Sequence, residues 1–179
     1  VFTGGQGSFV HGGLTEADVA RRLWTDMGVT ASSDDCFLAL RGLRTLPTRL
    51  ARHQASALRV AQWLAGRPEV REVIHPALPG ARGHALWQRD FTGATGLFAV
   101  VLQPVAKERV DAMLDGFALF RMGWSWGGFE SLAIPIWPER VRTATRWDAG
   151  GPCLRLSIGL EDPDDLIADL AAGLDRLAG

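Results

Sequence analysis

Arg155 is the residue whose type and position most clearly suggest chemistry. It interrupts an apolar stretch, residues 153–158 (CLRLSI), whose alternation predicts a β-strand with Leu154 and Leu156 on the opposite face. A guanidinium on such a strand must reach a carboxylate or the mouth of a pocket, because an unpaired buried charge is costly. Two interpretations stay open: bidentate binding of a substrate carboxylate, or an internal ion pair, for instance with Glu161.

The second candidate is the run of residues 124–131 (WSWGGFES). Ser125 lies between Trp124 and Trp126, and the two glycines that follow indicate a tight turn with aromatic walls around it. An ordinary aromatic loop would have the same pattern, and from the pattern alone it is the favoured interpretation. We do not predict a hydrolase triad at Ser125.

The sequence offers almost no lysine for amine chemistry. Its nineteen basic residues include a single lysine, Lys107, at the start of a predicted polar helix. Any chemistry that needs a lysine must use Lys107 or do without one.

Composition and spacing argue against several other classes of function. A net charge of −1 gives no electrostatic basis for binding nucleic acid or an anionic membrane. The four histidines have no partner at metal-ligand spacing, and the acidic residues 161–165 lack the glycine of a calcium loop, so we predict no metal site. No apolar run approaches the ~20 residues that span a bilayer, and no secretion signal is recognisable, so we expect a cytoplasmic location.

The elements that must position these residues follow from hydrophobic periodicity and capping. Helices are predicted first, from Thr15, from Ser33 and from Pro47 to Gly66. Strands and helices then alternate: strands at residues 70–75, 96–103, 118–122 and 153–158, and helices near His84, at 107–114 and from Pro163 onward. This order predicts an α+β fold with a small sheet covered by helices on one face, and a domain boundary between residues 30 and 47.

Four segments, taken in order, resemble the trans-sulfuration family of pyridoxal-phosphate (PLP) enzymes. They are residues 42–64 (GLRTLPTRLARHQASALRVAQWL), 73–98 (VIHPALPGARGHALWQRDFTGATGLF), 124–132 (WSWGGFESL) and 154–170 (LRLSIGLEDPDDLIADL). The resemblance covers nearly the whole chain. It implies the aspartate-aminotransferase fold, called fold type I, with residues 1–44 as the end of the large PLP domain and residues 45–179 as the small C-terminal domain.

The resemblance also implies roles for individual residues. Arg155 would bind the α-carboxylate of a sulfur amino acid, Ser125 would help to position the substrate, and Trp126 would line the pocket. Family members of the γ-synthase and γ-lyase types usually have leucine at the position of Trp126, whereas the Ser-Trp-Gly-Gly form resembles bacterial cystathionine β-lyases. The implied reaction is β-elimination of cystathionine to homocysteine, pyruvate and ammonia.

The resemblance places the Schiff-base lysine before residue 1, and Lys107 is no substitute for it. We therefore expect no covalently bound PLP and no activity in this chain alone, while the intact enzyme would use PLP as a homo-oligomer, a tetramer in this family. Two alternatives stay open. One is another enzyme of the family, a γ-synthase, γ-lyase or cysteine desulfhydrase, and the other is a non-catalytic interaction domain derived from the same fold.

Overall fold

The computed structural model describes residues 16–28 and 31–178, and the side chains of residues 20–28 and 31–178. The chain divides into two compact units, residues 1–48 and 49–179. The predicted loop at residues 1–13 lies outside the described residues, as do Thr15 and the side chain of Val19. The assignment of the first unit to a larger PLP domain stays a prediction.

The first unit contains two helices, and they begin close to the residues predicted from the sequence. Helix α1 spans Glu16–Met27 and helix α2 spans Ser33–Arg44. Ser32 caps α2, because its hydroxyl accepts a hydrogen bond from the backbone N–H of Asp35 at 3.1 Å. Both helices expose large apolar side chains: Leu23, Trp24 and Met27 on α1, and Phe37, Leu38, Leu40 and Leu43 on α2.

The second unit contains most of the regular structure. Its elements in chain order are helix α3 (Leu46–Ala65, which begins just before the unit boundary), strand β1 (Val70–Ile74), helix α4 (His84–Asp90), strand β2 (Leu97–Leu102), helix α5 (Lys107–Asp115), strand β3 (Leu132–Ile136), a 3₁₀ turn (Pro138–Arg140), strand β4 (Cys153–Ser157) and helix α6 (Pro163–Ala178). The strands form one antiparallel sheet in the order β1-β2-β4-β3.

One face of this sheet packs against helices and forms the core. Leu154 and Leu156 of β4 join the apolar side chains of the neighbouring strands there. The helical contribution comes from α3, α5 and α6: Ala57, Val60, Ala61, Leu64, Val110, Met113, Leu114, Leu166, Leu170 and Leu174. The α+β prediction, with helices over one face of a small sheet, is confirmed.

The strand predicted at residues 118–122 is wrong. The backbone N–H groups of Ala118, Leu119 and Phe120 donate to the carboxylate of Asp169 on α6, at 2.8, 2.8 and 3.1 Å, so they are not free to form a strand ladder. Only Arg121 makes a bridge, to Leu132. The sheet instead gains β3, which the sequence analysis did not predict because Pro135, its penultimate residue, breaks a strand pattern.

No helix among residues 16–28 and 31–178 is both long enough and apolar enough to cross a membrane.

The three hydrogen bonds to Asp169 predict that replacing its carboxylate by an amide lowers the stability of the fold. Asp169→Asn replaces one accepting oxygen by an NH₂ group that faces backbone donors, so we expect a loss of about 2–4 kcal/mol in the free energy of unfolding. Asp175→Asn, at an exposed position of the same helix, is the matched control and should change the stability by less than about 0.5 kcal/mol. Urea denaturation measures both variants, and equal midpoints would contradict the structural role of Asp169.

Candidate functional site

The candidate site lies on the face of the sheet opposite the helices. Arg155 is in the middle of β4, paired across the sheet with Ala99 of β2 and Ile134 of β3. Its side chain is half-buried, although both of its strand neighbours are fully buried on the core face. The loop of residues 123–131, which precedes β3, lies against this side chain.

The guanidinium of Arg155 is held by the backbone and by two indoles. Its Nη2 donates to the carbonyl oxygen of Ser125 at 3.1 Å and to that of Gly123 at 3.4 Å. Its Cζ lies 5.6 Å from the ring centroid of Trp124 and 5.5 Å from that of Trp126, within the range of cation–π attraction. The three residues predicted to bind substrate, Arg155, Ser125 and Trp126, are therefore in direct contact.

Arg155 has no carboxylate partner among the ion pairs of the described residues. The carboxylate of Glu161, the partner considered from the sequence, instead accepts hydrogen bonds from the backbone N–H and the hydroxyl of Ser131, at 2.7 and 2.8 Å. Partial burial lowers the pKa of Arg155, because desolvation disfavours its charged form. An arginine nevertheless keeps its charge at neutral pH, so an anion is a favourable ligand for the remaining guanidinium N–H groups.

Residues 123–127 (GWSWG) have the Gly-x-Ser-x-Gly spacing of a hydrolase nucleophile elbow, but not its structure. An elbow places its serine on a sharp turn between a strand and a helix. Here the segment follows the single bridge at Arg121 and leads into strand β3. Ser125 is exposed, and its carbonyl oxygen is engaged by Arg155. The match is one of spacing alone.

Two residues that the sequence analysis did not assign to the site hold this loop in place. The hydroxyl of Ser157 on β4 accepts a hydrogen bond from the backbone N–H of Gly127 at 3.2 Å. The hydroxyl of Ser131 accepts one from the backbone N–H of Gly159 at 2.8 Å. Strand alternation could have indicated Ser157, because residues 155 and 157 share one face.

Lys107 lies apart from this loop and has an ordinary surface environment. It begins α5, is exposed and forms an ion pair with Asp111 one helical turn away, which raises its pKa. A Schiff-base lysine must be held rigidly against the cofactor, and an exposed ammonium in a surface ion pair does not meet that need. The described residues therefore do not by themselves fit a PLP site.

The described histidine, cysteine and acidic side chains form no group of three or more that could hold a metal ion. Cys153 lies on the same face of β4 as Arg155, and it lines a cavity of about 340 Å³ together with Trp137 and Trp147. Burial raises the pKa of the Cys153 thiol to about 11, so it is neutral at physiological pH and unsuited to nucleophilic attack.

A small antiparallel sheet that carries an arginine under an aromatic loop, on the face away from its helices, agrees with the C-terminal domain that the resemblance to PLP enzymes of fold type I implies. The family comparison agrees: the model of the Cys/Met metabolism PLP-dependent enzymes matches residues 2–175, and the chain belongs to this family.

Comparison with individual proteins supports the same family. The chain is 51% identical over 155 residues to the cystathionine beta-lyase of Salmonella typhimurium, an alignment that covers 84% of this chain and 39% of that protein. It is 41% identical to the L-alanine/L-glutamate racemase of Wolbachia pipientis over 182 residues, 98% of this chain and 45% of the relative. The chain thus spans less than half of the length of these relatives.

A solved structure shares the fold. The cystathionine gamma synthase from Xanthomonas oryzae, in complex with aminoacrylate and cysteine, matches with a TM-score of 0.74 at 36% sequence identity. The match covers 92% of this chain and 44% of that one. The fold type I prediction is confirmed.

The raised pKa of Cys153 leads to a labelling prediction. At pH 8 a thiol of pKa about 11 is ionised to about one part in a thousand, so iodoacetamide should modify exposed Cys36 and leave Cys153 unmodified. Peptide mass spectrometry measures the two sites, and labelling in urea, where both should react, is the control. Equal labelling rates in the folded chain would show that Cys153 is more accessible than the structure indicates.

Proposed function

We propose that this chain is the C-terminal part of a PLP-dependent carbon–sulfur lyase that cleaves L-cystathionine to homocysteine, pyruvate and ammonia. The observation that supports this most strongly is the half-buried Arg155, which has two indoles and two backbone carbonyls around it but no carboxylate partner among the described residues. A charge in that setting favours an anionic ligand, and the amino-acid substrates of this family carry an α-carboxylate.

Each residue of the site has a separate task in this proposal. Arg155 binds the α-carboxylate through its guanidinium N–H groups that do not donate to the loop carbonyls, since Nη2 is already turned toward Gly123 and Ser125. Trp124 and Trp126 shield that ion pair from water, which strengthens it. Ser125 fixes the guanidinium through its carbonyl oxygen and presents its exposed hydroxyl to the substrate side.

The chemical step itself requires a bound PLP, which acts as an electron sink during elimination. In the proposal the lysine and the phosphate-binding groups belong to a longer protein that contains this chain. The exposed apolar faces of α1 and α2 are consistent with this, since contiguous apolar surface of this kind is normally covered by other protein. We propose that the longer protein is a cytoplasmic homo-oligomer, a tetramer as in its family.

Product analysis distinguishes the proposed activity from that of a γ-lyase and from a non-catalytic interaction domain. The longer protein, incubated with cystathionine and PLP, should release pyruvate, because β-elimination cleaves the bond between Cβ and sulfur on the cysteine-derived side. A γ-lyase would release 2-oxobutyrate instead, a racemase would change only the configuration of an amino acid, and an interaction domain would give no product. Chromatography of the derivatised keto acids separates the first two outcomes.

Arg155→Lys tests the role assigned to the arginine. Lysine keeps the charge but loses the planar fork of donors. In the longer protein we therefore expect kcat/KM for cystathionine to fall roughly thirtyfold or more, which corresponds to a loss of about 2 kcal/mol of transition-state stabilisation. Arg89→Lys is the matched control, because Arg89 is an exposed arginine that pairs with Asp90. A kcat/KM within twofold of the parent in both variants would remove Arg155 from the substrate site.

A further inference from the structure

Strand β4 and the residues after it hold the loop through several hydrogen bonds. Four of these bonds follow one another along the segment 155–161. In order along the segment, Arg155 bonds the carbonyl of Ser125, Ser157 the N–H of Gly127, Leu160 the carbonyl of Phe129, and Glu161 the N–H of Ser131. The substrate-facing loop is therefore positioned by the same strand that carries the arginine.

The contact at Ser157 lies at the pair of glycines in this loop. Gly127 has φ +73°, a left-handed conformation that glycine adopts without strain, and a second glycine, Gly128, follows it. Apart from chain neighbours, no atom lies within 4 Å of a Cβ placed at either glycine, so no other described part of the chain packs closely against these two positions. The hydrogen bond from Gly127 restrains the peptide that follows Trp126, and the bond from Arg155 to the carbonyl of Ser125 restrains the peptide that precedes it.

Ser157 is well suited to provide that restraint. It is only 1% exposed, and it lies on the face of β4 that carries Arg155, two residues along the strand. Its hydroxyl accepts from the N–H of Gly127 at 3.2 Å. The indole of Trp126, directly before Gly127, lies 5.5 Å from the guanidinium.

We propose that Ser157 is a positioning residue of the substrate-carboxylate site. By accepting the N–H of Gly127, it fixes the turn that places Trp126 over Arg155 and turns the carbonyl of Ser125 toward Nη2. It does not touch the substrate and acts only through the loop. The inference rests on the proposed function, because it concerns the same carboxylate site.

Ser157→Ala removes this one acceptor and leaves the rest of the loop attached. The contacts of Phe129 with Leu160 and of Ser131 with Glu161 remain, so the change is local. In the longer protein we expect KM for cystathionine to rise about fivefold to tenfold, as expected for the loss of one hydrogen bond, with kcat within twofold. In the 179-residue chain, amide exchange at Gly127 should become faster, and this second measurement needs neither cofactor nor substrate.

Ser56→Ala is the matched control. Ser56 is also a buried serine, 2% exposed, but it lies on α3 and its hydroxyl has no hydrogen-bond partner among the described residues. The same substitution there should leave KM and the exchange of Gly127 unchanged. A purely structural effect of removing a buried hydroxyl would instead change stability in both variants without the selective rise in KM.

A double variant tests whether Ser157 acts through the arginine site. If it does, Ser157→Ala should raise KM less in the Arg155→Lys background than in the parent, because the site it positions is already impaired. The inference is overturned if Ser157→Ala leaves KM unchanged while Arg155→Lys raises it. It is also overturned if the rise in KM of the double variant equals the product of the two single rises.

An unchanged KM in Arg155→Lys itself would count against the proposed function. The two proposals therefore fail through different results.

Discussion

The site is organised around one unfavourable placement, a positive charge in the middle of an apolar sheet. Desolvation of Arg155 must be offset, and two carbonyls and two indole faces do so in part. These groups all come from the loop of residues 123–131. The arginine and the loop are therefore mutually dependent: the loop solvates the charge, and the charge helps to hold the loop.

A negative charge is used in a comparable way at the segment that precedes the loop. Asp169 accepts three backbone N–H groups that would otherwise be left without partners near the core. These bonds fix residues 118–120 against α6. The next residue, Arg121, forms the bridge with Leu132 just before the loop begins. A helix carboxylate thus holds the chain directly before the loop of residues 123–131 begins, although it lies outside the candidate site.

Hydrophobic periodicity and capping predicted most helices and three of the four strands, and α3, α5, α6, β2 and β4 bury the apolar side chains on which their prediction rested. The strand at β3 was missed and another was placed at residues 118–122, since the deciding contact joins Ala118 to Asp169, 51 residues away. For the candidate site, the isolated charge of Arg155 and the Trp-Ser-Trp-Gly-Gly run were sufficient to select residues that the structure brings into contact, and their role in binding substrate stays a prediction. Strand alternation places Ser157 on the same face as Arg155, but Ser157 was missed because the sequence does not show that its hydroxyl contacts Gly127.

Both outer strands of the sheet carry features that prevent it from growing. On β3 the amide nitrogen of Pro135 has no hydrogen to donate, and on β1 the register shifts between Val70 and Glu72, where the charged Arg71 also lies. Such interruptions discourage the addition of a further strand at an open edge. Each edge of this sheet therefore carries a feature that opposes pairing with the edge strand of another copy.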